Sequence, residues 1–325
     1  MAGLRDPDRL NAQVDRVLDA RLGVYEKQLV ANYRQAVDAI RLDIAKVYEK
    51  YAVNGELTLA EMTKFNRLTN LEKQIVKDVR PYLTANDSLL KKVSAVEYDE
   101  AFYRYAWTMD QQTGVALQWG VLNTDAVAAA VANPLDLISR GRLRATTISR
   151  VRTAVTQGLI RGQGFPEMMR GIRGSINGTA SDAMRIVRTE GQRAQVEGQQ
   201  ESYDRAREKG VDVVDVWDAT LDSRTRDEHG AIDGQHRGED GFFDTAVGKV
   251  SAPLHSGVAS FDINCRCRLR GEIEGFEPEF RRAQERSVVV KNGRFEIVLG
   301  DSKVVPYQTY KQWSNNLNTR GRSTP

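Results

Sequence analysis

The sequence predicts an α+β protein, with a predominantly helical N-terminal region followed by a small loop-rich α+β domain with a few antiparallel strands. Three observations predict it. Apolar residues recur in steps of three and four through the first fifty positions. At Gly210 the pattern changes to alternation of apolar and acidic residues in VDVVDVWDA. The stretch after it gathers glycine, aspartate and all three histidines, and SVVVKNGRFEIVLG then reads as a hairpin turning on Asn292-Gly293.

The first helix carries Val14, Leu18, Leu22, Tyr25, Leu29, Tyr33, Val37, Ile40, Ile44, Val47 and Tyr51 on one face. No proline interrupts between Pro7 and Pro81, and Asn54-Gly55 offers a left-handed stop. Thr58 and Glu61 form a capping-box pattern that starts a second helix, expected to end before Pro81. A third helix should start at Asp87 or Ser88 and run through Trp119, carrying Phe102, Tyr103, Tyr105 and Trp107. These aromatic residues read as core packing between helices, with a partner-docking surface as the alternative.

Thr124 caps a short alanine-rich helix that stops at Asn133-Pro134. Further helices are expected over 143–161, 166–174 and 181–208, punctuated by Gly162, Gly164, Gly174 and Gly178. A strand covers VDVVDVWDA, and a loop-rich stretch runs from Asp222 to Asp262. The polar tail over 305–325 should be poorly ordered without a partner. The chain thus divides into a long-helix region (1–135), an arginine-rich helical region (136–208), a loop-rich core (209–285) and a hairpin with tail (286–325).

Of the 325 residues, 41% are hydrophobic and 28% charged, with a net charge of +3, so the whole chain is not a polycation. No apolar run approaches the roughly 18–20 residues that span a bilayer. The N-terminus lacks the apolar core of a signal peptide, so the chain is expected to stay where it is made. One local charge excess stands out. Arg140, Arg142, Arg144, Arg150, Arg152, Arg161, Arg170 and Arg173 are opposed in their own stretch by Glu167 alone. Such a run is a solvated helix face, a surface for an acidic protein, or a contact to DNA phosphates, which the guanidinium fork fits.

The densest chemistry lies in TLDSRTRDEHGAIDGQH and PLHSGVASFDINCRCRLR. His229, His236, His255, Cys265 and Cys267 offer the imidazoles and thiolates of a tetrahedral zinc site, with His229, His255, Cys265 and Cys267 as the ligand set and His236 as the alternate. In a flat strand the two side chains of C-x-C point to opposite faces, so a kink would be needed. The competing reading is buried free thiols with hydrogen-bonded histidines. A nuclease-like enzyme using His229 and a magnesium ion held by Asp218, Asp222, Asp227 and Asp233 is the catalytic alternative. No HExxH, P-loop or nucleophile-elbow signature accompanies it.

These segments carry a resemblance. Arg188-Thr189-Glu190, Trp217, Asp222, Arg224, Arg226, His229, Asp233-Gly234, Phe243, Pro253, Cys265, Arg266 and Cys267 together resemble the Mu F-like phage head morphogenesis family, which includes the minor head proteins of the SPP1 type. The resemblance covers 180–270 and, more loosely, the helices from 143. It implies a minor capsid protein without enzymatic activity, acting in head assembly and genome delivery. The implied partners are the portal and/or major capsid protein, with double-stranded DNA at Arg140, Arg142, Arg144, Arg150, Arg152 and Arg161 as a further candidate and no membrane. The implied location is the virion, in the head interior or at the portal vertex, after assembly in the host cytoplasm.

Overall fold

Apolar residues three and four apart make one helix, α1, from Pro7 to Tyr51. In the computed structural model, residues 7–130, 134–220, 224–273, 282–291 and 294–304 are described, with the backbone alone for 7–9, 126, 129–130, 134–142, 144 and 282 onward. Helix α1 ends where the Asn-Gly pair predicts, with Asn54 and Gly55 both at positive φ (51° and 81°). The Thr58 hydroxyl accepts the Glu61 N–H at 3.3 Å, capping the short α2 (Leu59–Thr63). A 3₁₀ turn (Lys64–Asn66) leads into α3 (Arg67–Thr113).

Helix α3 corrects two expectations. Pro81 lies inside it and does not end it. A proline there removes one backbone hydrogen bond and costs about 3 kcal/mol. Ile75, Val79, Leu83 and Leu90 on either side are all buried, and at about 1.5–3 kcal/mol each their burial outweighs that cost. The helix also stops at Thr113 and does not reach Trp119. Gly114 turns at φ 64°, and the buried Asp110 carboxylate accepts the Leu117 N–H (2.9 Å) and the Trp119 indole N–H (3.0 Å). The aromatic cluster is core: Phe102, Tyr103, Tyr105, Trp107 and Trp119 are each buried.

After α4 (Thr124–Ala130), α5 (Pro134–Ile160) begins earlier than expected, with proline at the first helical position, where its missing N–H costs nothing. Helix α6 (Phe165–Glu208) merges the two helices expected over 166–174 and 181–208. Gly174 and Gly178 cost about 1 kcal/mol each, less than the buried stripe of Ile172, Ile176, Ala183 and Val187 contributes.

The alternating segment forms β1 (Val213–Asp218), antiparallel to β4 (Arg268–Ile273), with Trp217 opposite Leu269. Between them lie α7 (Asp227–Gly230), the hairpin of β2 (Phe243–Thr245) and β3 (Gly248–Val250), and α8 (Ala259–Asp262). The final hairpin pairs β5 (Arg282–Lys291) with β6 (Arg294–Val304). Its last pair, Lys291 and Arg294, brackets Asn292-Gly293, which lie outside the described residues with the tail over 305–325.

The chain groups into two units. One comprises Leu22–Val93 and Asn133–Glu190, a bundle of helical segments around Leu29, Ile40, Ile75, Val155, Ile172 and Val187. The other comprises Met1–Arg21, Ser94–Ala132 and Gly191–Pro325. In it, α6 approaches α3 so closely at Gly198 that a Cβ there would lie 2.2 Å from the Tyr98 carbonyl oxygen. Arg268, buried on β4, bonds Asp15 (3.2 Å) and Asp19 (2.6 Å) of α1 and Gln195 (2.9 Å) of α6, tying the sheet to the helices. No described helix is long and apolar enough to cross a membrane.

Candidate metal centre

The β1–β4 pair positions the site. Cys265 and Cys267 sit just before β4, outside the strand, so strand alternation does not apply to them. Asn264 at φ 56° and the Cys265 N–H bonded to the Asp262 carbonyl (3.0 Å) supply the kink that C-x-C requires. Both thiols are buried. His229, on α7, is buried beside them, its Nδ1 3.3 Å from Cys267 Sγ and 3.5 Å from Cys265 Sγ. Its ring lies against Phe261 with centroids 4.1 Å apart.

Among the described residues, His229, Cys265 and Cys267 are the group whose ligand atoms converge, all within 4.8 Å of one another. In a zinc tetrahedron with Zn–N of about 2.0–2.1 Å and Zn–S of about 2.3 Å, the N···S edge is about 3.6 Å, close to the two separations seen here. The Cys267 N–H points at Cys265 Sγ (3.4 Å), as suits a thiolate. The Cys265 thiol is held well below its ordinary value, first by the hydrogen bond from the Cys267 thiol and then, against burial, by His229. Cys267 is pushed the other way by the same hydrogen bond and by burial.

His255 is placed elsewhere. Its Nδ1 lies 2.8 Å from the Pro253 carbonyl and its Nε2 2.9 Å from the Glu197 carboxylate. Both ring nitrogens are thus engaged away from the two thiols. His236 is exposed, 3.5 Å from Glu272. Among the described residues, the acids of the nuclease alternative form no cluster that could hold a metal. Asp233 accepts the Ala219 N–H at 2.8 Å as a turn brace, Asp227 is exposed on α7, and Asp222 lies outside the described residues.

The other motif residues frame this knot. Trp217 is buried edge-on to Phe243 (5.2 Å), and its carbonyl accepts the N–H of Gly234, whose φ of 76° the turn needs. Arg226 donates to the carbonyls of Phe261 (3.1 Å) and Ile263 (2.5 Å), clamping α8. Its Nη1 lies 3.5 Å from His229 Nε2. Arg266 reaches Thr225 at 3.4 Å, and Arg224 is exposed. In the helical unit Arg188 makes a two-point pair with Glu26, and Glu190 is half-buried on α6.

Of the arginine run, Arg150 bonds Thr179 (3.2 Å) and Asp182 (3.3 Å), Arg152 lies 3.7 Å from Glu72, and Arg170 pairs with Glu167. Arg161 and Arg173 are exposed, with no ion pair among the described residues. The side chains of Arg140, Arg142 and Arg144 lie outside the described residues. Sequence reasoning missed Phe261 and Glu197. A phenylalanine three residues before the Asn-Cys pair was the available signal for the first, and none existed for the second.

Comparison with known proteins bears on this arrangement. Residues 149–270 match the family described as Phage Mu protein F like protein. The chain is 31% identical over 306 residues to minor head protein GP7 of Bacillus phage SPP1, covering 93% of this chain and 95% of that protein. It is 28% identical over 265 residues to a protein of Enterococcus faecalis named NAD(+)–arginine ADP-ribosyltransferase EFV, covering 80% of this chain but 54% of that protein. An uncharacterized protein of Haemophilus influenzae is 28% identical over 164 residues, 49% of this chain and 33% of that one. No solved structure matches.

Proposed function

The chain belongs to the Mu F-like, SPP1-type family of phage minor head proteins, and from that premise we propose that it acts by binding the portal or major capsid protein during head assembly and genome delivery. The observation that carries this reading is the alignment with minor head protein GP7 over nearly the full length of both chains. The framing of the motif residues supports it. Trp217, Arg226, Asp233 and Gly234 brace a rigid knot, and no described carboxylate lines the cavity beside it to serve as a general base. The place of action is the virion, at the head interior or portal vertex, after assembly in the host cytoplasm. The exposed Arg161 and Arg173, with no ion pair among the described residues, are the arginines of the run offered to an acidic partner or packaged double-stranded DNA.

The test is co-expression of the chain with the portal and major capsid proteins of its own phage. The chain should co-sediment with heads and with at least one of the two proteins alone. A chain that stays with free protein in every combination refutes the docking reading. A nuclease would instead degrade DNA in magnesium or zinc buffers without any head protein.

We also infer that His229, Cys265 and Cys267 hold a structural zinc ion, which clips the glycine-rich stretch onto β4. The donor chemistry, the edge lengths and the burial support it. Protein expressed with ample zinc should carry close to one equivalent, and less than about a tenth of an equivalent would sink this reading.

A further inference from the structure

Resting on the docking reading above, we infer that the groove beside Phe65 in the helical bundle is a contact surface, and that it takes an acidic segment of a head protein carrying an apolar side chain. Phe65 lies in the 3₁₀ turn between α2 and α3, with 83% of its surface exposed. It also holds a left-handed backbone (φ 53°, ψ 31°), as does Asn66 beside it (φ 56°). A bulky residue seldom adopts that conformation, and a ring left in water forgoes the stabilisation of burial. Strain and exposure coincide where a side chain is presented to something outside the chain.

Phe65 borders a groove of about 590 Å³, within the range of ligand clefts, lined by α1, the 3₁₀ turn and the start of α3. The Arg67 guanidinium lies 4.0 Å from the Tyr51 ring centre and 5.3 Å from that of Phe65, and Glu61 holds it there at 3.2 Å. The two rings therefore frame a preorganised aromatic wall. Charge then selects the occupant. Lys46, Lys50 and Arg67 line the groove against a single acid, Asp43, which is buried. Lys46 and Lys50 are exposed. Carboxylates of an acidic segment match these two cations while its apolar side chain covers Phe65 and Tyr51.

The full-length chain tests this, with heads assembled from the portal and major capsid proteins of its own phage as the probe. Phe65→Gly removes the ring and puts a residue without a Cβ at the left-handed position, so its urea midpoint should stay close to the parent's. Its apparent affinity for heads in co-sedimentation should nevertheless fall by about tenfold or more, as for a deleted aromatic anchor. Phe65→Tyr, which keeps the ring, should bind like the parent. Lys46→Glu with Lys50→Glu should weaken binding strongly at low salt and less at high salt. Phe65→Gly and the lysine pair both docking like the parent overturns this surface and leaves the docking reading standing. A loss confined to double-stranded DNA binding, or to self-association of the free chain, overturns it too, because the occupant is then phosphate or a second copy. A parent chain absent from heads overturns both.

Discussion

Gly198 offers a decisive test of how α3 and α6 pack, because two effects of opposite sign compete there. Alanine stabilises a helix interior by about 1 kcal/mol relative to glycine. At Gly198, however, the added Cβ would lie 2.2 Å from the Tyr98 carbonyl oxygen and 3.1 Å from the Phe102 nitrogen, both backbone atoms. Backbone held by helix hydrogen bonds cannot swing aside as a side-chain tip can, so α3 and α6 must separate by about 1 Å. Overpacking of this kind costs about 1–3 kcal/mol, and the upper part of that range applies where backbone meets Cβ. Gly198→Ala should therefore destabilise by about 2 kcal/mol net of propensity. With an m-value of about 2 kcal/mol/M, the urea midpoint falls by about 1 M. Trp107, Trp119 and Trp217 are buried in this unit, so tryptophan fluorescence reads its unfolding. Gly174, also in α6, has nothing within 4 Å of its Cβ position, and Gly174→Ala should stabilise by about 0.5–1 kcal/mol, read by helical circular dichroism. A Gly198→Ala protein as stable as the parent would refute the close approach of the two helices.

Three further outcomes follow from the same structure. Arg268→Met leaves the half-buried Asp15 without its guanidinium and should cost about 1–3 kcal/mol at neutral pH. Burial already raises the Asp15 pKa and Arg268 opposes that rise, so the variant's pKa should climb further. Because the folded value then exceeds the unfolded one, the penalty is full above it and relieved as pH falls through it. The difference in unfolding free energy between variant and parent should therefore shrink by about 1 kcal/mol or more between pH 8 and pH 5, and a constant difference contradicts the assignment. Cys265→Ser should release zinc and lower the melting temperature by several degrees. The same substitution in a metal-free protein should cost only about 1–2 kcal/mol. Arg161→Glu with Arg173→Glu, both exposed, should weaken incorporation into heads or DNA retention more at low salt than at high, whereas unchanged incorporation makes that face merely solvated.

What could be read from the sequence was local. The threes and fours from Val14 to Tyr51, the Asn54-Gly55 stop, the Thr58 cap and the alternation of β1 all follow from short-range backbone preferences, and each is present. Pro81, Gly174 and Gly178 misled because their cost is local while the burial that overrides it is tertiary. The convergence of His229, Cys265 and Cys267 was legible in their donor types. The engagement of His255 was not, because Glu197 lies 58 residues away on α6. The Arg150 and Arg152 partners, Asp182 and Glu72, likewise come from segments outside the run in which the arginines were counted.

The central claim is that this protein works as a docked component of the head. Cryo-electron microscopy of heads assembled with and without the chain tests it most directly. The account predicts added density in contact with portal or capsid, large enough for the helical bundle and the β1–β4 knot and absent from heads assembled without the chain. Identical maps, with the chain missing from purified heads, would contradict it.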